Sequence, residues 1–293
     1  MKKKTALIIT ATVLAMCVLI VCFLLYRDRE NRLRGGYSPM IMLDTDTIMV
    51  SVSATDEELL AGVTALDREN GDVTDSLIVE GISPFYAENR CIVTYVAFDE
   101  SNNVSKISRI VEYTDYTPPV FVMTEPLSIP ISEALTADLA SYVQAYDCKD
   151  GDISRNIKVS LLGGVVSIGA VGEYDVQLRV TNSLGDTATA VVRLEVHNRG
   201  YSDSRSTPDI RLSNYILYTD VGERVDVEGN VAGIVLYDEL HTLEGYRREH
   251  TLIIDDSGVD YNTPGQYEVV YRSVSEEANL GTARLIVIVR GAE

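Results

Sequence analysis

The apolar and polar positions divide the chain into one long apolar run and a series of short alternating segments. Residues 5–26, TALIITATVLAMCVLIVCFLLY, contain no charged side chain. A helix needs about 20 such residues to cross the hydrocarbon core of a bilayer. The run is long for a cleavable signal peptide and has no small-x-small exit before Tyr26. In Leu14-Ala15-Met16-Cys17 a methionine precedes the cysteine, which does not suit a lipoprotein signal. The expected element is therefore an uncleaved single transmembrane helix at 5–26, after a short tail at 1–4. Residues 27–38 are polar, carry Gly35-Gly36, and read as a juxtamembrane linker.

Beyond that linker the period changes to two. Tyr174, Val176, Leu178 and Val180 alternate with Asp175, Gln177 and Arg179. That pattern marks an antiparallel strand with one buried face. Similar segments predict strands at 91–97, 107–113, 190–196, 265–271 and 283–289. Turn-forming residues, such as Asp99-Glu100-Ser101-Asn102-Asn103 and Asn182-Ser183-Leu184-Gly185-Asp186, separate the paired segments. Helical periodicity is nearly absent. The expected class is all-β, with tandem β-sandwiches behind the membrane helix.

The pattern also repeats. Ala65-Leu66-Asp67-Arg68-Glu69-Asn70-Gly71-Asp72-Val73-Thr74 aligns with Ala145-Tyr146-Asp147-Cys148-Lys149-Asp150-Gly151-Asp152-Ile153-Ser154 at an offset of 80 residues. The common core is Asp-x-x-(Asn/Asp)-Gly-Asp, and a fixed period of this kind signals a repeated unit. The first repeat covers 39–117 and the second 118–199. A polar linker at 200–208 follows, then a diverged third repeat at 209–293. The third keeps the late block Gly265-Gln266-Tyr267-Glu268-Val269-Val270-Tyr271. Where the others have Asp-Gly-Asp, it has Tyr237-Asp238-Glu239-Leu240-His241.

These blocks resemble the bacterial immunoglobulin-like (Ig-like) domains named after insecticidal crystal proteins, and more loosely the HYR-type Ig-like modules. Asp72-Val73-Thr74 and Asp152-Ile153-Ser154 match the first family block. Gly172-Glu173-Tyr174-Asp175-Val176 and Gly265-Gln266-Tyr267-Glu268-Val269 match the second. The first repeat departs from it, with Asn89 for the glycine and Cys91 for the tyrosine. The resemblance implies Ig-like β-sandwiches that serve as spacers and interaction modules on bacterial surfaces. It also orients the anchor. Basic residues flank the helix on both sides, Lys2, Lys3 and Lys4 before it and Arg27, Arg29, Arg32 and Arg34 after it, so the positive-inside rule is nearly tied. Modules of this kind imply an extracytoplasmic C-terminal body on the cell membrane.

Charge narrows the partners. The net charge is −19, and residues 35–293 hold 18 basic and 42 acidic side chains. A body this acidic does not suit a nucleic acid backbone, which is bound by displacing counterions with Lys and Arg. The expected partners are the membrane, through the N-terminal helix, and a protein or cell-wall glycan outside. An accessory subunit of an envelope complex is a further reading. Cys17 and Cys22 lie in the apolar run, and Cys91 and Cys148 fall in different repeats, so no disulfide framework is implied.

Candidate chemistry is sparse. Asp67, Asn70, Asp72, Asp147, Asp150 and Asp152 offer oxygen atoms and are candidate calcium ligands, and the nearby turn residues Asp99 or Asn182 could complete a site. The competing reading is structural: Asp and Asn accept backbone N–H groups in turns, and Gly supplies positive φ. The third repeat lacks the cluster, which favours the turn. No other cofactor is expected. His197, His241 and His250 lack cysteine partners at zinc-like spacing. There is no Gly-x-Ser-x-Gly elbow, His-Glu-x-x-His pair or phosphate loop, so the chain is expected to be non-catalytic. Tyr201, Tyr215, Tyr218, Tyr237 and Tyr246 crowd the linker and the third repeat. They are the tyrosines expected to form any glycan-binding surface.

Overall fold

The computed structural model describes residues 16–27, 38–165 and 167–291. Residues 16–27, the second half of the expected anchor and the first linker residue, form an exposed helix, α1. The tail at 1–4 and residues 5–15 lie outside the described residues, as does most of the first linker. Among the described residues no helix is long and apolar enough to cross a membrane. The transmembrane expectation therefore meets only its C-terminal half in the structure.

The body is mainly strand, as the alternation requires. Three β-sandwiches follow one another, each with seven strands among the described residues. The first contains β1 (Met40–Leu43), β2 (Thr47–Val50), β3 (Val63–Asp67), β4 (Gly71–Asp72), β5 (Ile78–Ile82), β6 (Arg90–Phe98) and β7 (Val104–Tyr113). The second contains β8 (Val120–Val122), β9 (Ser128–Pro130), β10 (Gln144–Asp147), β11 (Gly151–Asp152), β12 (Lys158–Leu161), β13 (Gly172–Thr181) and β14 (Thr187–His197). The third contains β15 (Asp209–Leu212), β16 (Ile216–Asp220), β17 (Val231–Leu236), β18 (Glu239–His241), β19 (Leu252–Asp255), β20 (Gly265–Val274) and β21 (Leu280–Arg290).

Strand order is the same in all three. A three-stranded sheet, β1-β3-β4, faces a four-stranded sheet, β2-β7-β6-β5. Its equivalents are β8-β10-β11 with β9-β14-β13-β12, and β15-β17-β18 with β16-β21-β20-β19. In each sandwich the second strand pairs parallel with the last, as β2 does with β7. Burial follows the alternation. On β13, Val176, Leu178 and Val180 are buried while Arg179 and Thr181 are exposed.

The third sandwich keeps this topology without the Asp-Gly-Asp motif. Tyr237 and Asp238, at φ of 53° and 68°, make the β17–β18 turn. A two-residue hairpin needs positive φ at both positions to match strand twist. The hairpins joining the two longest strands also use a left-handed residue: Asn102 in the first sandwich, Gly185 in the second and Ala278 in the third. Alanine carries a Cβ that clashes in this region, whereas glycine does not. Ala278→Gly is expected to raise stability by about 0.5–1 kcal/mol. The denaturation midpoint checks this, and an unchanged or lower midpoint argues against strain at that turn.

The chain divides into compact units between Asp115 and Tyr116. The first sandwich has its own core around Val93, Tyr95, Val111 and Leu59. The second and third sandwiches share one. A single buried cluster runs from Phe121 and Ile129 through Leu178 and Leu194 to Tyr215, Tyr271 and Leu285. Backbone and side-chain bonds fasten the pair. Tyr215 N donates to Met123 O at 2.7 Å, and Phe121 N to the Tyr218 hydroxyl at 2.8 Å. Gln266 brackets Val191, accepting from its N at 2.8 Å and donating to its O. Residues 200–208, read from sequence as a plain linker, contain a short helix, α3 (Tyr201–Ser206), and Ser206 is buried.

Candidate functional site

The repeated motif lies at the β3–β4 turn of the first sandwich and the β10–β11 turn of the second. Both copies work alike. Asp67 Oδ1 accepts from Glu69 N and Asn70 N at 2.8 and 2.7 Å. Asp147 Oδ1 accepts from Lys149 N and Asp150 N at 3.0 and 2.9 Å. Gly71 and Gly151 supply the positive φ, 79° and 70°. Asp72 Oδ1 accepts from Thr74 N, and Asp152 Oδ1 from both Ser154 N and its hydroxyl. The Thr74 and Ser154 hydroxyls in turn accept from Ala65 N and Ala145 N. The two Asp and the Thr or Ser thus each have a local bond to make and the Gly a left-handed turn, which explains why they recur in that order.

These bonds have a consequence for acid stability. Donation from Thr74 holds the Asp72 carboxyl below its usual range, and donation from Ser154 does the same for Asp152. A carboxylate depressed in the folded state stabilises fully above its unfolded value and loses that contribution as pH falls through its folded value. Asp152→Ala is therefore expected to flatten the fall in melting temperature on acidification below about pH 4. A melting series in which variant and native chain fall in parallel would contradict this.

The two sandwiches diverge where that turn meets the hairpin of the long strands. In the second, the loops clasp. Asn182 Nδ2 donates to Asp147 Oδ2 at 2.9 Å and to the Tyr116 hydroxyl at 2.8 Å. Tyr116 donates to Asp186 Oδ2 at 2.7 Å. Asp150 accepts from Ser183 N and its hydroxyl, both at 2.6 Å. Burial, then the Asp186 bond, pushes the Tyr116 phenol well up, so it stays a donor. In the third sandwich, Asn279 Nδ2 donates to the buried Ser206 hydroxyl at 2.8 Å.

In the first sandwich the strand registers place Asp99 where the second has Asn182, and Glu100 where it has Ser183. Asp99 accepts twice from Asn103, N at 2.7 Å and Nδ2 at 2.6 Å. The Asn103 amide holds the Asp99 carboxyl below its usual range. Asp67 is only 6% exposed, and its Oδ2 is buried with no hydrogen-bond partner.

Of the six candidate calcium ligands, the structure therefore brings Asp147 and Asp150 to direct protein partners. Asp72 and Asp152 are committed to their own turns. Among the described residues, no group of three or more His, Cys, Asp or Glu side chains is placed to hold a metal ion. Strand register sets Asp99 and Glu100 on the loop that, in the second sandwich, faces the equivalent turn.

The expected tyrosine surface is corrected. Tyr215 and Tyr246 are 3% and 0% exposed, and Tyr218 is half-buried. Tyr246 ends a short helix, α4 (Leu243–Tyr246), and its hydroxyl bonds Ser273 Oγ at 2.8 Å. His241 and His250 flank its ring. Of this group only Tyr237 is a described, exposed side chain. The physical reason is packing: these rings fill the third core.

A cleft of about 380 Å³ lies between the second and third sandwiches instead. Leu127, Val192 and Ile286 contribute its apolar part, and Arg193, Arg199, Arg284, Glu173, Glu195 and His197 its polar part. Arg284 reaches Glu173 at 2.9 Å and also pairs with Glu268. Arg193 pairs with Asp175 at 2.8 Å, and Arg199 with Glu195 at 2.6 Å. Burial lowers the affinity of His197 for a proton.

No protein-family model and no curated protein matches the chain. Solved structures do overlap with it. One is a Clostridium perfringens ZmpB structure holding an M60 catalytic domain with CBM51-1 and CBM51-2 domains (12% identity, 87% of this chain, 31% of that one, TM-score 0.23). Another is mouse cadherin-23 EC22-24 (16%, 87%, 99%, 0.22). A third is Drosophila N-cadherin EC1-4 (13%, 86%, 75%, 0.23). The chain spans less than a third of the first. Overlaps this loose say nothing of what this chain binds.

Proposed function

We propose that this is a non-catalytic, single-pass membrane protein of the bacterial surface, whose extracytoplasmic sandwiches bind a partner. The observation that carries the reading is the fused second and third sandwiches with a preformed cleft between them. A cleft of a few hundred Å³ with an apolar floor and a few convergent polar groups is the usual shape of a ligand site. Sharing one core makes the pair stiff, so the cleft is held open at little entropic cost to a ligand. The apolar run at 5–26, whose second half is α1, supports the anchor. The acidic body supports a partner other than nucleic acid.

Wall glycan is the second reading. Alternating guanidinium and carboxylate groups, as in Arg193, Arg199 and Glu195, match the paired donors and acceptors of sugar hydroxyls. Co-sedimentation of the full chain in detergent with purified cell-wall material tests it, with whole envelopes alongside. Pelleting with wall material identifies a glycan, and pelleting with envelopes alone identifies a protein. Arg193→Ala combined with Arg199→Ala is expected to weaken either by at least about tenfold. Binding to neither fraction leaves the sandwiches as spacers.

A further inference from the structure

We propose that the apex of the first sandwich binds a divalent cation, calcium by its ligand chemistry, between Asp67 and Asp99, where the second sandwich uses a hydrogen-bonded clasp. The inference is independent of what occupies the cleft.

The comparison is internal to the chain. Strand register puts four equivalent positions on the two apical loops of each sandwich. In the second sandwich they are Asp147, Asp150, Asn182 and Ser183, two acceptors facing two donors, and all four are bonded across the loops. In the first they are Asp67, Asn70, Asp99 and Glu100. Three are carboxylates, and the donors that close the second clasp are missing. The buried result is Asp67 Oδ2, the counterpart of the Asp147 oxygen that Asn182 satisfies, left without a partner. Asp99 is itself only 8% exposed. A buried carboxylate oxygen without a donor is costly.

A bound cation removes that cost. Calcium takes six to eight oxygen ligands in irregular geometry and accepts waters among them. Asp67 Oδ2 and Asp99 supply the anionic pair. Water completes the shell. Magnesium needs a near-ideal octahedron, which an adaptable loop pair suits less well. With two anchoring carboxylates the affinity falls in the weak class typical of extracellular modules, on the order of 10⁻⁴–10⁻³ M. Asp147, Asp150 and Asp152 take no part, because their own turns and clasp engage them.

The test is hydrogen exchange and calorimetric titration on the full chain in detergent, with calcium chloride or with chelator. Calcium is expected to slow exchange of β6 and β7 amides and leave β13 and β14 unchanged. Asp99→Asn restores the amide that Asn182 provides. This variant is expected to keep the fold, protect β6 and β7 without calcium, and bind calcium at least about tenfold more weakly. Asp67→Asn, which offers the amide from the other loop, is expected to do the same and serves if the first variant does not fold. Identical exchange with calcium and chelator overturns the proposal, as does full calcium binding by both variants. Protection that appears on acidification rather than with calcium also overturns it, since a shared proton then fills the gap.

Discussion

Replacing Arg109 by alanine is expected to destabilise the first sandwich by about 2–5 kcal/mol, the cost of a core cavity together with lost buried hydrogen bonds. Its side chain on β7 is 1% exposed, inside the sandwich. It donates to Leu59 O at 2.7 Å, to Ala61 O at 3.1 Å and to the Tyr95 hydroxyl at 3.0 Å. It reaches Asp44 at 3.3 Å. Tyr95 donates to the same Leu59 carbonyl at 2.6 Å. The guanidinium thus ties the short helix α2 (Asp56–Leu59) and its following turn to the sheet. Truncation leaves a cavity and removes the donor to Ala61 O, and both effects act in the same direction. The equivalent positions hold Val192 and Leu285, so the fold itself does not require arginine there. Urea denaturation followed by exchange of β6 and β7 amides measures the change. A loss below about 1 kcal/mol, the level of a surface pair, would contradict the network.

Tyr271→Ala is expected to cost about 3–5 kcal/mol, the range for deleting a buried aromatic ring. Tyr271 is fully buried on β20, and its hydroxyl donates to Val227 O at 2.8 Å. The more telling consequence lies in the neighbour. Because the second and third sandwiches share one buried cluster, they are expected to open together. Amides of β13 and β14 should lose protection in step with those of β20 and β21. If only β20 and β21 lose protection, the sandwiches are separate folding units and the shared core is not cooperative.

Much of the architecture is legible in local pattern. The alternation at 174–180 lies within β13, and the segment at 283–289 within β21. The repeat at Asp67 and Asp147 marks two equivalent hairpins, because each motif residue bonds within a few positions of itself. The third hairpin was harder to read, since Tyr237 and Asp238 reach positive φ without glycine. The tyrosines of the third repeat are not legible in this way. Tyr215 and Tyr246 are amphipathic, and sequence does not say whether such a ring meets a core or water.

The sequence by itself determined the apolar segment, the long paired strands, the repeat and most turns, because each is written in the order of residues along one stretch and needs no knowledge of which distant stretch packs against it. Only the tertiary structure decided that Arg109 points inward, that the second and third sandwiches share a core, and that Asp67 Oδ2 is buried without a partner. Those relations join residues from tens to about a hundred positions apart. Strand pairing and packing set them, and period-two alternation carries no information about which distant strand a face will meet.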